Sequence, residues 1–274
     1  MKNITRIHIF DVEHGECNAI ETPTGHLILI GAGHNSSTNW RPSNWLLQRN
    51  QWPHCIVLSN LDEDHLSDLP NFEPNLRPLS IMYNYFINPD WLERNKIEES
   101  GMVPNGLKVA LFWIRNVFTG GSLYYNYGLE ITYFHHSPTK FQDTNNLSVV
   151  TFIAYNGVGV MFPSDIEAKG WREFLRDPNF VKCLQRTNIL IASHHGRESG
   201  YCRDVFNYCK PHIVIISDKP MMHETQNHNL YAQHCSGLNF GGNIRKVLTT
   251  RNDGKITIDI PIIGNYTVSI NQSY

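Results

Sequence analysis

Cys55-Ile56-Val57-Leu58-Ser59, followed at once by Asn60-Leu61-Asp62-Glu63-Asp64-His65, is the part of the sequence that decides the fold. The first five residues form a short, continuous apolar run, as a strand covered on both faces does. The run breaks off into a polar, acid-rich loop. In α/β proteins, loops at the carboxyl ends of buried strands carry the binding and catalytic groups. The plain alternative is a surface turn leading into a helix, with Asp64 or Ser67 as its N-cap.

Working outward, two more runs end the same way. Asn156-Gly157 marks a tight hairpin between strands expected at 147–155 and 159–162. The second of these ends in Pro163-Ser164-Asp165. A further apolar run at 188–192 ends in Ser193-His194-His195-Gly196. Three strand ends therefore deliver Asp62, Asp64 and His65, then Asp165, then His194 and His195. Side chains that converge from separate rigid elements are what a metal site needs. Asp with His suits Zn, Mn or Fe rather than Ca. Neighbours on a strand end point to opposite sides, which leaves open whether His194 or His195 faces the metal.

The remaining segments fill in an α/β chain. Residues 6–12, 17–21 and 26–30 read as a strand meander, with Thr22-Pro23-Thr24-Gly25 as one of its turns. Residues 39–50, 107–117, 167–175 and 204–209 read as helices, and 129–134 and 212–217 as strands. Asp253-Gly254 between 246–249 and 255–258 reads as a terminal hairpin. The pattern predicts an αββα four-layer sandwich, two mixed sheets with flanking helices, as a single domain over 1–274. Residues 66–129 are either an insertion that shapes the substrate side or plain scaffold.

Composition narrows the function classes. With 41% hydrophobic and 18% charged residues and a net charge of -2, the 274-residue chain shows no basic signature. No window has the apolar length of a membrane span, and the N-terminus lacks a secretory h-region. The six cysteines, with no Cys-x-x-Cys pair, read as reduced thiols of a cytoplasmic protein. Cys183, Cys202 and Cys209 lack a zinc-ligand spacing. Histidine is abundant, fourteen residues, many beside Asp, Asn or Gly. Such clusters are metal or acid–base candidates.

In their order, these motifs resemble the metallo-β-lactamase superfamily. More narrowly, they are similar to the hydrolase domain of the bacterial DNA-uptake competence channel (the ComEC type). The family's Asp-Val-Gly-Gln-Gly-Asp and later Asp-Ala-Gly resemble Asp11-Val12-Glu13-His14-Gly15-Glu16 and Gly31-Ala32-Gly33. Its metal loop, Ser-His-x-[His/Asp]-x-Asp-His, resembles Ser59-Asn60-Leu61-Asp62-Glu63-Asp64-His65. Its Asn-Asx-x-Ser resembles Asn145-Asn146-Leu147-Ser148, its Gly-Asp resembles Ser164-Asp165, and its His-His-Gly matches His194-His195-Gly196. His228-Asn229 and residues 250–254 are similar to its closing elements. Two departures stand out: the family's first loop histidine is Asn60 here, and the Asp of Asp-Ala-Gly is Gly31.

The resemblance implies one metal held by Asp64, His65, Asp165 and one of His194 or His195. It leaves Asn60, Asp62 and Asn146 for another, with Asp165 bridging. An amide oxygen suits Mn or Mg better than Zn. The implied cofactor is one or two divalent ions, Mn or Zn. The implied activity is hydrolysis of a phosphodiester in nucleic acid or a nucleotide, through a metal-activated water. Asp64 would orient that water, and His228 would serve the oxyanion or the leaving group unless it is simply an exposed loop histidine. His135 and His136 are further ligand candidates, and Glu63 a supporting one. Two other functions stay open: hydrolysis of a lactone or thioester, and a degenerate scaffold that binds a partner. The sequence names no protein partner.

Overall fold

The computed structural model describes residues 3–119, 127–219 and 223–271. Its strands are β1 (Ile4–Ile9), β2 (Asn18–Glu21), β3 (Leu27–Ile30), β4 (Cys55–Val57), β5 (Ser80–Met82), β6 (Glu130–Phe134), β7 (Val150–Tyr155), β8 (Val158–Phe162), β9 (Thr187–Ile191), β10 (Ile213–Ile216), β11 (Leu238–Phe240), β12 (Asn243–Arg245), β13 (Val247–Thr249), β14 (Lys255–Pro261) and β15 (Thr267–Asn271). Its α-helices are α1 (Pro42–Gln48), α2 (Glu63–Leu66), α3 (Pro89–Ser100), α4 (Asn105–Phe112), α5 (Ala168–Phe174), α6 (Pro178–Gln185), α7 (His228–Ala232) and α8 (Thr250–Asp253). One sheet runs β15-β14-β1-β2-β3-β4-β5, the other β13-β10-β9-β8-β7-β6. Both are mixed: β3, β4 and β5 are mutually parallel in the first, and β8, β9, β10 and β13 in the second.

Strand alternation builds the four layers. Ile20, Ile28, Ile30 and Val57 face Ile153, Val160, Ile189 and Ile215 in a core between the sheets. Their neighbours Ala19, Leu29 and Ile56 point the other way, onto Leu46 of α1, Leu92 of α3 and Leu107 of α4. On the far side, Phe152, Met161, Leu190 and Val214 pack on Trp171 of α5, Phe180 of α6 and Tyr231 of α7. Central strands are thus apolar on both faces, which is why β4, β9 and β10 read as unbroken apolar runs. The architecture is the expected αββα sandwich.

The C-terminal hairpin expected at Asp253-Gly254 does not form. β13 pairs in parallel with β10, whereas β14 pairs antiparallel with β1 in the other sheet. The segment between them is a crossover through α8. Asp253 does not shape a two-residue turn. Its carboxylate accepts from the Thr249 amide at 2.9 Å and grips Arg245 at 2.5 and 2.8 Å. Residues 204–209 likewise form a 3-10 turn (Arg203–Asn207) in place of an α-helix.

Residues 66–129 hold β5, α3 and α4, of which only α4 was anticipated. α3 carries clear local signals: Asn88 caps it, Pro89 opens it, and Gly101 closes it at φ 77°. No helix of the described residues is long and apolar enough to cross a membrane.

Candidate metal centre

The parallel strands β8 and β9 point their carboxyl ends to one rim of the sandwich, where Asp165 and His195 follow them. The loop after β4 in the facing sheet brings Asp64 and His65 to the same rim. Among the described residues these four form a group whose ligand atoms all lie within 4.8 Å of one another. His65 Nε2 is 3.1 Å from Asp165 Oδ2 and 3.8 Å from Asp64 Oδ2. His195 Nε2 is 3.3 Å from Asp165 Oδ1 and 3.5 Å from Asp64 Oδ2. Three side chains are buried, whereas that of Asp64 is 46% exposed and forms the solvent side of the group.

Backbone packing fixes the loop. Ala32 N–H donates to the His65 carbonyl at 2.7 Å. A Cβ on Gly33 would stand 2.3 Å from the Asp64 carbonyl, and one on Gly31 2.3 Å from the Glu16 carbonyl. Gly31, also at φ 71°, is therefore a packing requirement of the loop crossing. Glu16 is the supporting acid. Its Oε2 accepts from Ser59 Oγ at 2.5 Å and lies 3.3 Å from His65 Nδ1, and Asn18 Nδ2 donates to its Oε1 at 3.1 Å. A carboxylate on Nδ1 puts the proton there and turns the Nε2 lone pair toward the group, the arrangement typical of metal-bound histidines. The Asp11–Glu16 motif marks this position in the sequence, but the chain pattern alone did not assign Glu16 a role.

The electrostatics describe a site balanced for positive charge. Burial opposes ionised histidine, yet Asp165 and Asp64 hold His65 well above its ordinary pKa and raise His195 to about 9. Burial likewise opposes the Asp165 carboxylate, but His65 and His195 hold it well below the usual range. His195 Nε2 and Asp165 Oδ1 are buried without a hydrogen bond. Two imidazoles and two carboxylates at this spacing fit a divalent transition metal.

His195 is thus the member of the pair that joins the group. His194 and His195 both lie in the left-handed region, at φ 49° and 54°, so the alternation of a strand no longer applies. Two such non-glycine residues cost about 1–3 kcal/mol each, a strain found most often at functional sites. His194 turns away: its Nδ1 meets Ser199 Oγ at 2.8 Å and its Nε2 meets Arg197 Nη1 at 3.3 Å.

The other candidates stand outside the group. Asp62 is held by Lys96 Nζ at 2.6 Å and by Thr144 Oγ1 at 2.9 Å. Asn60 accepts from the Asp62 amide at 2.9 Å through Oδ1 and donates to Ser148 Oγ at 3.2 Å through Nδ2. Asn146 Oδ1 accepts from the Gly170 amide at 3.0 Å, and its Nδ2 donates to Asp143 at 2.6 Å. In this structure the side chains of all three are engaged in these local contacts. Glu63 accepts from the Gly106 amide at the start of α4. His136 contacts the Gly170 carbonyl at 3.0 Å, His135 meets Tyr85 edge-to-face, and the six cysteines are buried and free. His228 Nε2 lies 3.5 Å from Arg251 Nη2 and 3.9 Å from Asp218 Oδ2. Asp218 follows β10 and Arg251 lies beyond β13, so this trio sits further along the same rim. Burial raises Asp218 to about 6.

Around the group lies a positive frame. The His14 ring is 6.1 Å from His195 and 6.0 Å from His223. Both His14 nitrogens are buried without partners, and burial, then the charges of His195, Lys219 and Arg197, lower its pKa to about 4. Gln226 ties the His223 segment to the His195 carbonyl at 2.5 Å. Sequence reasoning gave His14 no partner, because its partners come from distant strand ends.

No protein-family model matches this sequence, and no curated protein does. Among solved structures the chain is similar to a diphosphatase of the PhnP family, with 10% identity and a TM-score of 0.43 over 93% of this chain and 86% of that one. It is also similar to AbOPH, a hydrolase of the β-lactamase superfamily, with 17% identity and a TM-score of 0.34 over 56% of each chain.

Proposed function

We propose that this protein is a metal-dependent hydrolase of phosphodiesters, acting on nucleic acid or a nucleotide, with one divalent ion, Mn or Zn, held by Asp64, His65, Asp165 and His195. The observation that carries this reading is the four-residue group, three members buried, with the His65 ring oriented by Glu16. The cations Arg197 and Lys219, close enough to lower the pKa of His14, favour a phosphoryl group over a neutral lactone or thioester.

When bound, a divalent ion supplies Lewis acidity and lowers the pKa of water toward neutrality. Asp64, the solvent-side member, orients the attacking water and accepts its proton. His65 and His195 would hold the ion as neutral imidazoles, releasing to solvent the protons that Asp64 and Asp165 favour in its absence. Arg197 and Lys219 meet the phosphate charge. Burial and Arg251 lower the pKa of His228, so it stands as a neutral imidazole. That suits a hydrogen bond to the developing oxyanion better than delivery of a proton to the leaving group.

Purified protein should hydrolyse bis-p-nitrophenyl phosphate with Mn and lose that activity in chelator. Turnover of a lactone in its place would sink the phosphodiester assignment. One observation favours a second reading, a catalytically degenerate binding protein: Asn60 and Asp62 are tied up in structural bonds. A folded protein that takes up no metal by elemental analysis would establish that reading.

A further inference from the structure

On the same rim as the metal centre lies a groove of about 480 Å³, within the size range of small-ligand sites. Tyr85 and Phe86 follow β5, one strand from β4 in the first sheet. His135 follows β6, which runs parallel to β8 two strands away in the second. Strand spacing puts the β6 end roughly 10 Å from the β8 end that carries Asp165. Asn84 joins the two sides, donating to the His136 carbonyl at 2.8 Å and to the Leu147 carbonyl at 2.9 Å.

The walls are aromatic and unusually open. Tyr85 is 62% and Phe86 51% exposed, although each is a large ring on a structured loop. The His135 ring sits edge-on to both, at 4.7 and 5.2 Å. Its Nδ1 is buried and has no hydrogen-bond partner. Lys140 and Arg176 both pair with Glu173 at the groove's outer lip. Exposed aromatic faces suit a planar ring, and the lip carries Lys140 and Arg176 together with Glu173 and Asp177, groups of both signs that can meet its polar edges. A nucleobase has that form. Base–aromatic stacking tolerates any base, because every base has a π-face.

We infer that this groove is a base-stacking subsite, taking a nucleobase of the strand or nucleotide whose phosphodiester sits at the metal centre. The inference rests on the phosphodiesterase reading and names the part of the substrate that the metal centre does not touch. It also gives residues 66–129 a substrate-side task, since Tyr85 and Phe86 belong to them.

The test is binding in the presence of chelator, where no hydrolysis intervenes. Fluorescence anisotropy would compare a short oligodeoxythymidylate with an abasic strand of the same length. Stacking contributes about 1–3 kcal/mol per base, so the base-bearing strand should bind roughly fivefold to 150-fold tighter. The Tyr85→Ala/Phe86→Ala variant should bind both strands alike, and Tyr85→Trp/Phe86→Trp should keep the preference. The alanine variant's melting temperature checks that it is folded. Equal binding of the two strands by the wild type, or a preference that survives the alanine variant, overturns the inference and leaves the metal centre's activity untouched. Failure of the wild type to bind either strand also overturns it. Hydrolysis of bis-p-nitrophenyl phosphate then decides the phosphodiesterase reading separately.

Discussion

Replacing Glu16 with Gln tests the metal centre without touching any of its four proposed ligands. The side chain is 7% exposed, and Gln fills the same space. Glu16 accepts from Ser59, Asn18 and His65 Nδ1 through its two oxygens. Gln has one oxygen, so one side must fail. If its NH₂ faces Asn18, two donors oppose each other, and His65 keeps only a neutral acceptor. If its NH₂ faces His65, the imidazole moves its proton to Nε2, the nitrogen that has to face the ion. Loss of such a partner typically weakens metal affinity 10- to 100-fold, which is about 1.4–2.8 kcal/mol. The lower figure belongs to the first orientation and the upper to the second. Calorimetric titration of Mn or Zn into chelator-treated protein, wild type against Glu16→Gln, reads the difference directly. An affinity within twofold of wild type, in a variant that melts normally, would refute the claim that Glu16 orients His65.

Three further outcomes are expected. Asp165→Ala and Asp64→Ala should each abolish hydrolysis while the chain stays folded; full rate in either would end the role assignment. Metal at about a hundredfold over its Kd should stabilise the wild type by about 2.7 kcal/mol, several degrees in Tm, and Asp165→Ala should show no such shift in a thermal melt. His136, stacked on Phe174 at 3.7 Å, has its pKa lowered by burial from 6.5 to about 4. In the window between those values the unfolded chain binds the proton and the folded chain does not, so stability falls as pH drops, by about 3 kcal/mol in all. Urea unfolding at several pH values should show a shallower loss for His136→Phe than for wild type.

Local signals and long-range ones were unequally legible. The apolar runs of β4, β9 and β10 announced strands buried on both faces, and the polar loops after them announced the rim. Asp64, His65 and Asp165 are legible as rim residues because each stands at such an end. The sequence could not separate His194 from His195, since the choice depends on two left-handed residues that alternation rules do not foresee. Nor could it place Glu16, whose role exists only through His65 on another strand. The failed hairpin has the same origin. Asp253-Gly254 is a local turn signal, but β14 is drawn to β1 by 253-residue-distant partners such as Arg6, whose Nε meets Asp259 at 2.7 Å. α3 and α6 have legible caps, Asn88-Pro89 and Asp177-Pro178, but α3 is mostly charged and buries only Leu92, and α6 spans just eight residues, so neither shows a long apolar period.

We propose that the position implied for a second metal is blocked by the chain itself. Lys96 comes from α3, outside the loop, and places its ammonium 2.6 Å from Asp62. Burial disfavours that charge, yet Asp62 and Glu99 raise the Lys96 pKa above its usual value. The lysine therefore stays protonated at neutral pH. Placing a histidine at position 60, as in the metal-loop pattern the sequence resembles, through Asn60→His should then fail to add an ion, because Asp62 remains paired. It should also lower stability, because the new ring cannot both accept from the Asp62 amide and donate to Ser148 from the same buried place. Elemental analysis should give one ion per chain for both wild type and Asn60→His. Only Asn60→His combined with Lys96→Met, which frees Asp62, should move that count toward two. A wild-type protein that already carries two ions would show that the Lys96–Asp62 pair opens in solution, and would return Asp62 to the ligand set.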